Sequence, residues 1–288
     1  MSDSISLSDF WALFGNAIVA ALLAAALCGY LGFFVVLRRL AFVSAALGQI
    51  SGLGVAFGFF IGSYFGMDPH APTPIYLDPV VLALVLAGIV AAVLGYVSRV
   101  ERTSPESLVA FAYLAATAVA ILILASPRIV QEAHEVGDLL FGNAVAIRRE
   151  HFVELAAVAF AVLCSHVFLF KDFLFVSFDR EMAQAVGLPV TKLDLLLHVS
   201  IGISVAVATR AIGALPVFGF LVLPAGSALL ASDSVRGVLA LSIGGAMLAA
   251  GGGFYLSFVE SWPTGPLMVA CAAMYWPLAA LYRFVRRS

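Results

Sequence analysis

A chain of 288 residues that is 63% hydrophobic and 11% charged, with a mean hydropathy of +1.08, has too little polar surface to clothe a water-soluble domain. Such domains run near 45–50% apolar and about 25% charged. A net charge of −2 with no basic run gives no nucleic-acid signal. Cys28, Cys164 and Cys271 stand singly in apolar stretches and imply neither a disulfide framework nor a cysteine zinc site.

Runs free of Asp, Glu, Lys and Arg cover 10–37, 41–67, 79–98, 107–127, 155–170, 195–209, 211–232, 237–259 and 261–282. A bilayer core takes about 20 apolar residues per helix, with roughly 17–25 tolerated. The two short runs, the fifth and sixth, reach that length with flanking residues such as Phe152, Val153 and Leu193. The pattern predicts an all-α polytopic membrane protein, a single transmembrane domain over 1–288 with about nine helices. The stretch 139–147 is too short to cross and reads as an interfacial or re-entrant piece. The first run is too long for a signal-peptide core and follows no basic segment, so it reads as a retained span.

With alternating spans, Arg38, Arg39, Arg99, Arg102, Lys171, Arg180, Lys192, Arg236, Arg283, Arg286 and Arg287 fall on one side. Those are eleven of the fifteen basic residues, so that side is expected to be cytoplasmic, with the N-terminus outside and the C-terminus inside.

Span 2 carries Gly48/Gly52, Gly54/Gly58 and Gly58/Gly62, three small-residue pairs spaced for close helix contact. Ser44, Gln49 and Ser51 are embedded among them, and polar side chains at membrane depth face a bundle interior or a water-filled path. These three are the candidate translocation residues, with helix packing as the competing reading. Pro216 and Pro224 within span 7 and Pro277 within span 9 predict broken helices. No metalloprotease, nucleophile-elbow or Walker A spacing occurs. No catalytic residue is assigned, and any nucleotide energy must come from another chain.

Residues 178–192 read FDREMAQAVGLPVTK. Asp179 is placed to cap a short helix from Arg180, and Gly187 with Pro189 to end it. Most loops in a compact bundle are only a few residues long, so a capped helix on the cytoplasmic side suits the docking of a partner.

The extended stretch FDREMAQAVGLPVTKLDLL resembles the cytoplasmic coupling segment of the ABC-transporter permeases that take up zinc, manganese and iron. DLLFGNAVAI (138–147) resembles that family's extracytoplasmic Leu-Phe-Gly segment, and AIGALPVFGFLVLPAGSALL (211–230) its late Gly-rich span. The cobalamin and siderophore permeases are more distantly similar. The resemblance implies an importer subunit in a bacterial-type inner membrane, acting as a homodimer. It also implies two copies of a separate cytoplasmic ATPase, which holds the ATP and magnesium, and an extracytoplasmic solute-binding protein. This chain is then expected to bind no cofactor of its own. Glu181, Ala183 and Gly187 fall on the family's coupling pattern. The family usually carries an Asp and a His four residues apart in span 2, before a Pro-Gly. Here Ala45, Gln49 and Leu53 stand at the Asp, His and Pro positions. Neither Ala nor Gln replaces a carboxylate–imidazole pair for a borderline divalent cation. Either the metal passes with few ligands or the substrate is different, such as a chelate.

Asp68 and His70, with Glu132, His134 and Glu135, offer metal-compatible ligands in the outer loops, or simply a solvated surface. His166 and His198, near span ends, read as residues that reach the interface or bond a backbone carbonyl. Arg210, near the outer end of span 6, needs a partner such as Glu154 or Glu260, or an anionic chelate. A secondary carrier driven by an ion gradient is the rival class, but such carriers show intramembrane acids. The core runs here have none apart from Glu154 and Asp194 near their ends.

Overall fold

The computed structural model describes residues 7–64, 78–97, 105–126 and 149–287, and within them every regular element is helical. The helices are α1 (Leu7–Leu37), α2 (Ala41–Tyr64), α3 (Pro79–Val97), α4 (Pro105–Leu124), α5 (Arg149–Phe178) and α6 (Arg180–Ala185). They continue with α7 (Val190–Ile212), α8 (Ala214–Ala231), α9 (Val235–Glu260), α10 (Thr264–Ala273) and α11 (Tyr275–Arg287). Nine spans are long and apolar enough to cross a bilayer among the described residues, with α10 and α11 together forming the ninth. The predicted all-α, roughly nine-helix architecture is therefore what the chain adopts. The piece 139–147 lies outside the described residues.

α1 and α7 are the most enclosed spans, while α4 and the α10–α11 span are the most open. α1 packs on α8 and α9 along one side and on α5 and α7 along the other. α2 lies against α3 and α4, with α7 and α8 behind it. Ala17, Ala20, Ala21, Ala24 and Ala25 of α1 are all buried. Small side chains let helix axes approach in lipid, where contact rather than water exclusion drives association. Polar side chains add links, with Ser242 Oγ on α9 donating to the Gly29 carbonyl on α1 at 2.6 Å.

Of the three predicted glycine pairs, Gly54 and Gly58 carry the α2–α3 contact. A methyl on Gly54 would come 2.5 Å from Ala83 Cα, and one on Gly58 would come 2.7 Å from Pro79 Cα. A methyl on Gly62 would meet nothing within 4 Å.

Two boundaries differ from the sequence reading. α5 and α7 run further than the apolar stretches 155–170 and 195–209, because Lys171, Asp172, Lys192 and Asp194 are helical. Charged side chains at helix ends reach polar partners or the interface without ending the helix. Pro216 does not interrupt span 7: α8 starts at Ala214, so Pro216 sits in the first turn, where its missing N–H has no intrahelical partner to lose. Pro224 is inside α8. Pro277 breaks span 9 as predicted, since its ring conflicts with the carbonyl four residues earlier, at Ala273, where α10 ends.

Gly213 alone joins α7 to α8, with φ 91° and ψ 157°, a region essentially restricted to glycine. At the other end of α1 the chain turns through Arg39 at φ 59°. Arg39 N donates to the Val36 carbonyl at 3.1 Å and Leu40 N to the Val35 carbonyl at 2.7 Å. These are the paired bonds of a Schellman cap, with arginine at the position glycine usually holds.

Candidate coupling and translocation site

α6 has six residues and so depends on its ends. Asp179 accepts from Met182 N at 2.8 Å, satisfying one donor of the first turn. Gly187, at φ 90°, closes the helix: its N–H donates to the Gln184 carbonyl and Leu188 N–H donates to the Ala183 carbonyl, both at 3.0 Å. The cap residues expected from the sequence are those used. Ala183 is fully buried, whereas Arg180, Glu181, Met182, Gln184, Ala185 and Val186 are exposed. Ala183 is thus the one buried side chain of the helix, Arg180 also reaches the bundle, at Asp194, and Glu181, Met182, Gln184 and Ala185 present an outward surface. Glu181, Ala183 and Gly187 are together here, Glu181 on the free surface, Ala183 on the seated one and Gly187 at the turn.

Behind α6 lies a charge cluster that local sequence patterns did not disclose. Arg38 donates to Asp194 Oδ1 at 2.6 Å, to Ser177 Oγ at 2.7 Å and to the Phe173 carbonyl at 3.2 Å. Arg180 meets the other oxygen, Asp194 Oδ2, at 2.8 Å. Asp194 is only 4% exposed and Arg38 11%. Burial pulls the Arg38 pKa below its ordinary value, and the Asp194 carboxylate pushes the other way. The signals available in the sequence were Asp194 just inside a span and Arg38 just outside one. Their pairing spans 156 positions and has no local signature.

On α2, Ser44 and Ser51 are buried. Ser44 Oγ donates to the Ala41 carbonyl at 2.7 Å within the helix, and Ser51 Oγ to the Ala206 carbonyl of α7 at 3.4 Å. Gln49 is only partly buried, as are Ala45 and Leu53 one turn to either side. These three form a stripe that continues into the exposed Phe42 and Phe57. Gln49 is therefore a polar side chain on an otherwise apolar, incompletely covered helix face. Asp68, His70, Glu132, His134 and Glu135 lie outside the described residues. Among the described residues no cluster of three or more His, Cys, Asp or Glu is placed to hold a metal.

Arg210, His198 and His166 of the spans have polar partners. Arg210 pairs with Glu154 at 3.2 Å and meets His151 Nε2 at 3.1 Å, deciding among the partners the sequence left open. His198 Nδ1 bonds the Asp194 carbonyl at 2.8 Å, as expected of a span-end histidine. His166 Nε2 meets Ser200 Oγ at 2.9 Å beneath the rings of Tyr30, Phe34 and Phe173. Both acids near the span ends, Glu154 and Asp194, are thus neutralised by arginine.

Comparison with known proteins places this geometry. The family described as the ABC 3 transport family matches residues 11–283. The chain belongs to that family. It is 26% identical over 93% of its length, and 86% of the relative's, to the manganese transport system membrane protein MntC of Halalkalibacterium halodurans. It is 24% identical over 94% of its length, and 86% of the relative's, to the chelated iron transport system membrane protein YfeD of Yersinia pestis. The solved PsaBC from Streptococcus pneumoniae, in complex with Fab, has the same fold, with a TM-score of 0.78 at 22% identity covering 95% of each chain. Membership of the ABC 3 family makes this a multi-pass ABC-transporter permease. An ABC permease needs no ATPase motif of its own, in accord with the lack of one here, and the ion-gradient carrier is set aside.

Proposed function

We propose that this chain is the membrane-spanning subunit of an ABC importer for a transition-metal ion (zinc, manganese or iron) or a metal complex. It works as a homodimer with two copies of a cytoplasmic ATPase and receives its cargo from an extracytoplasmic solute-binding protein. The observation that carries the reading is α6, a doubly capped helix seated through Ala183 with Glu181 and its neighbours facing outward. A short rigid helix held at both ends delivers a push instead of fraying under it. The charge distribution supports a bacterial-type inner-membrane placement with α6 and the C-terminus cytoplasmic and the N-terminus outside. The ion pairs support the same grouping: Arg38 meets Asp194 in the first turns of α7 and Ser177 at the end of α5, and Arg286 meets Asp233 in the α8–α9 connection at 3.5 Å.

The path follows the open stripe of α2, with Gln49 facing it and Ser44 and Ser51 behind. A polar side chain turned toward lipid is costly, and a second copy or a water-filled route removes that cost. Relatives named for manganese and for chelated iron frame the substrate. One observation favours the chelate as a second reading: Ala45 and Gln49 occupy that stripe without a carboxylate or an imidazole.

The test is uptake into vesicles containing this chain and its co-purifying ATPase, with the matching binding protein, with and without ATP. Zinc, manganese, iron and an iron chelate are compared. ATP-dependent accumulation of a free divalent ion supports the importer reading with an ionic cargo. Uptake of the chelate alone transfers the reading to metal complexes, and gradient-driven uptake without any ATPase overturns it.

A further inference from the structure

A cation in the first turn of a helix opposes the helix dipole, so Arg180 brings nothing to the local stability of α6. Its structural use lies elsewhere. The side chain is 48% exposed, yet its guanidinium reaches inward to Asp194, which is 4% exposed. Arg38 approaches the same carboxylate from the opposite oxygen and is tied in turn to Ser177 and Phe173 at the end of α5. A carboxylate offers about four acceptor sites, so both arginines bind it without competing. Four helices therefore converge on one side chain: α6 through Arg180, α1 and α5 through Arg38, and α7 through Asp194 itself. Beyond it α1 packs on α8 and α9 and α7 packs on α2 and α3, while α1 and α7 also pack on each other.

We propose that Asp194 is the joint between the coupling helix and the bundle, with Arg180 as the positioning residue that hands a displacement of α6 to α1 and α7 together. This rests on the reading that residues 178–192 receive the ATPase. Charge-assisted bonds to both oxygens of one carboxylate fix direction as well as distance, which the contact of Ala183 alone does not. In this arrangement Arg180 conveys motion without itself holding the ATPase.

The experiment compares Arg180→Gln, Arg180→Lys and Ala183→Arg with the parent protein in the reconstituted permease–ATPase complex. It reads ATPase association and cargo transported per ATP hydrolysed. Arg180→Gln is expected to retain the ATPase and to lower transport per ATP by about fivefold or more, the lower range of coupling between sites. Arg180→Lys, which keeps the charge, should recover part of that loss. Because Arg38 still pairs Asp194 in both variants, folding is preserved, and thermal unfolding of the purified subunit verifies it. An unchanged ratio in Arg180→Gln overturns the joint, as does loss of ATPase association, which would make Arg180 a docking contact. Ala183→Arg separates the two readings: it should abolish association. If the ATPase still binds that variant normally, the docking assignment fails, and the joint with it. If association is lost there but Arg180→Gln transports normally, only the joint fails.

Discussion

Gly54 lies so close to Ala83 that a β-carbon on the glycine would stand 2.5 Å from Ala83 Cα and 2.9 Å from its nitrogen. Both obstructing atoms are backbone, so accommodation requires that α2 and α3 separate. Gly54→Ala should therefore destabilise the subunit by about 1–3 kcal/mol, the range for overpacked contacts. Gly62→Ala, with open space around the added methyl, should be neutral or slightly stabilising through helix propensity. Thermal unfolding of both variants in the same detergent checks the contrast, and equal effects would refute the close-contact explanation.

Arg39 adopts a left-handed backbone at the end of α1, a conformation costing an L-residue roughly 1–2 kcal/mol. Arg39→Gly should raise stability by about 1 kcal/mol. Gly187→Ala, at φ 90° with nothing within 4 Å of the added carbon, should lower it by a similar amount for the same conformational reason. Midpoint shifts of opposite sign are the expected readout.

The Asp194 carboxylate is buried with Arg38 and Arg180 around it. Asp194→Asn removes the charge and leaves Arg38 buried without its ion-pair partner, a loss of about 3–5 kcal/mol for breaking a buried pair. The double substitution Arg38→Met with Asp194→Leu removes both buried charges and should recover much of that stability. Denaturation of the two variants side by side distinguishes a broken ion pair from a simple packing defect.

Asp179 supplies the only side-chain cap of α6 recorded among the described residues. Asp179→Ala should cost about 1 kcal/mol and fray a helix with little else to hold it. Since α6 is proposed to dock the ATPase, co-purification should weaken more than overall thermal stability does. Unimpaired co-purification would count against α6 as a docking element.

Ala45 and Gln49 share the open stripe of α2. The pair Ala45→Asp with Gln49→His places a carboxylate and an imidazole one helical turn apart, both ligand types for zinc, manganese or iron. Rate or metal preference of uptake should change if that stripe lines the route. Identical uptake of every cargo would remove the stripe from the path.

The nine spans were legible because apolar length is a property of contiguous residues, and the α6 caps because Asp179, Gly187 and Pro189 act within a turn of their own position. What escaped was long-range. Ser44, Gln49 and Ser51 looked alike as polar residues among glycines, yet Ser51 bonds α7 while Gln49 stands on an open face. Arg38 and Asp194 each had a sufficient local reading, one as a positive flank and the other as an acid at a span end. Only folding sets Arg38 beside Asp194, and Arg180 beside both. Pro216 was misread because a helix start inside an unbroken apolar run carries no compositional mark apart from Gly213.

The single glycine between α7 and α8 limits how those helices move. One residue of chain spans at most about 3.6 Å when fully extended, less than the 5.4 Å rise of a helical turn. Neither helix can slip a whole turn past the other without carrying its neighbour along. A displacement of α7 along its axis by as much as a turn would therefore have to draw α8 with it.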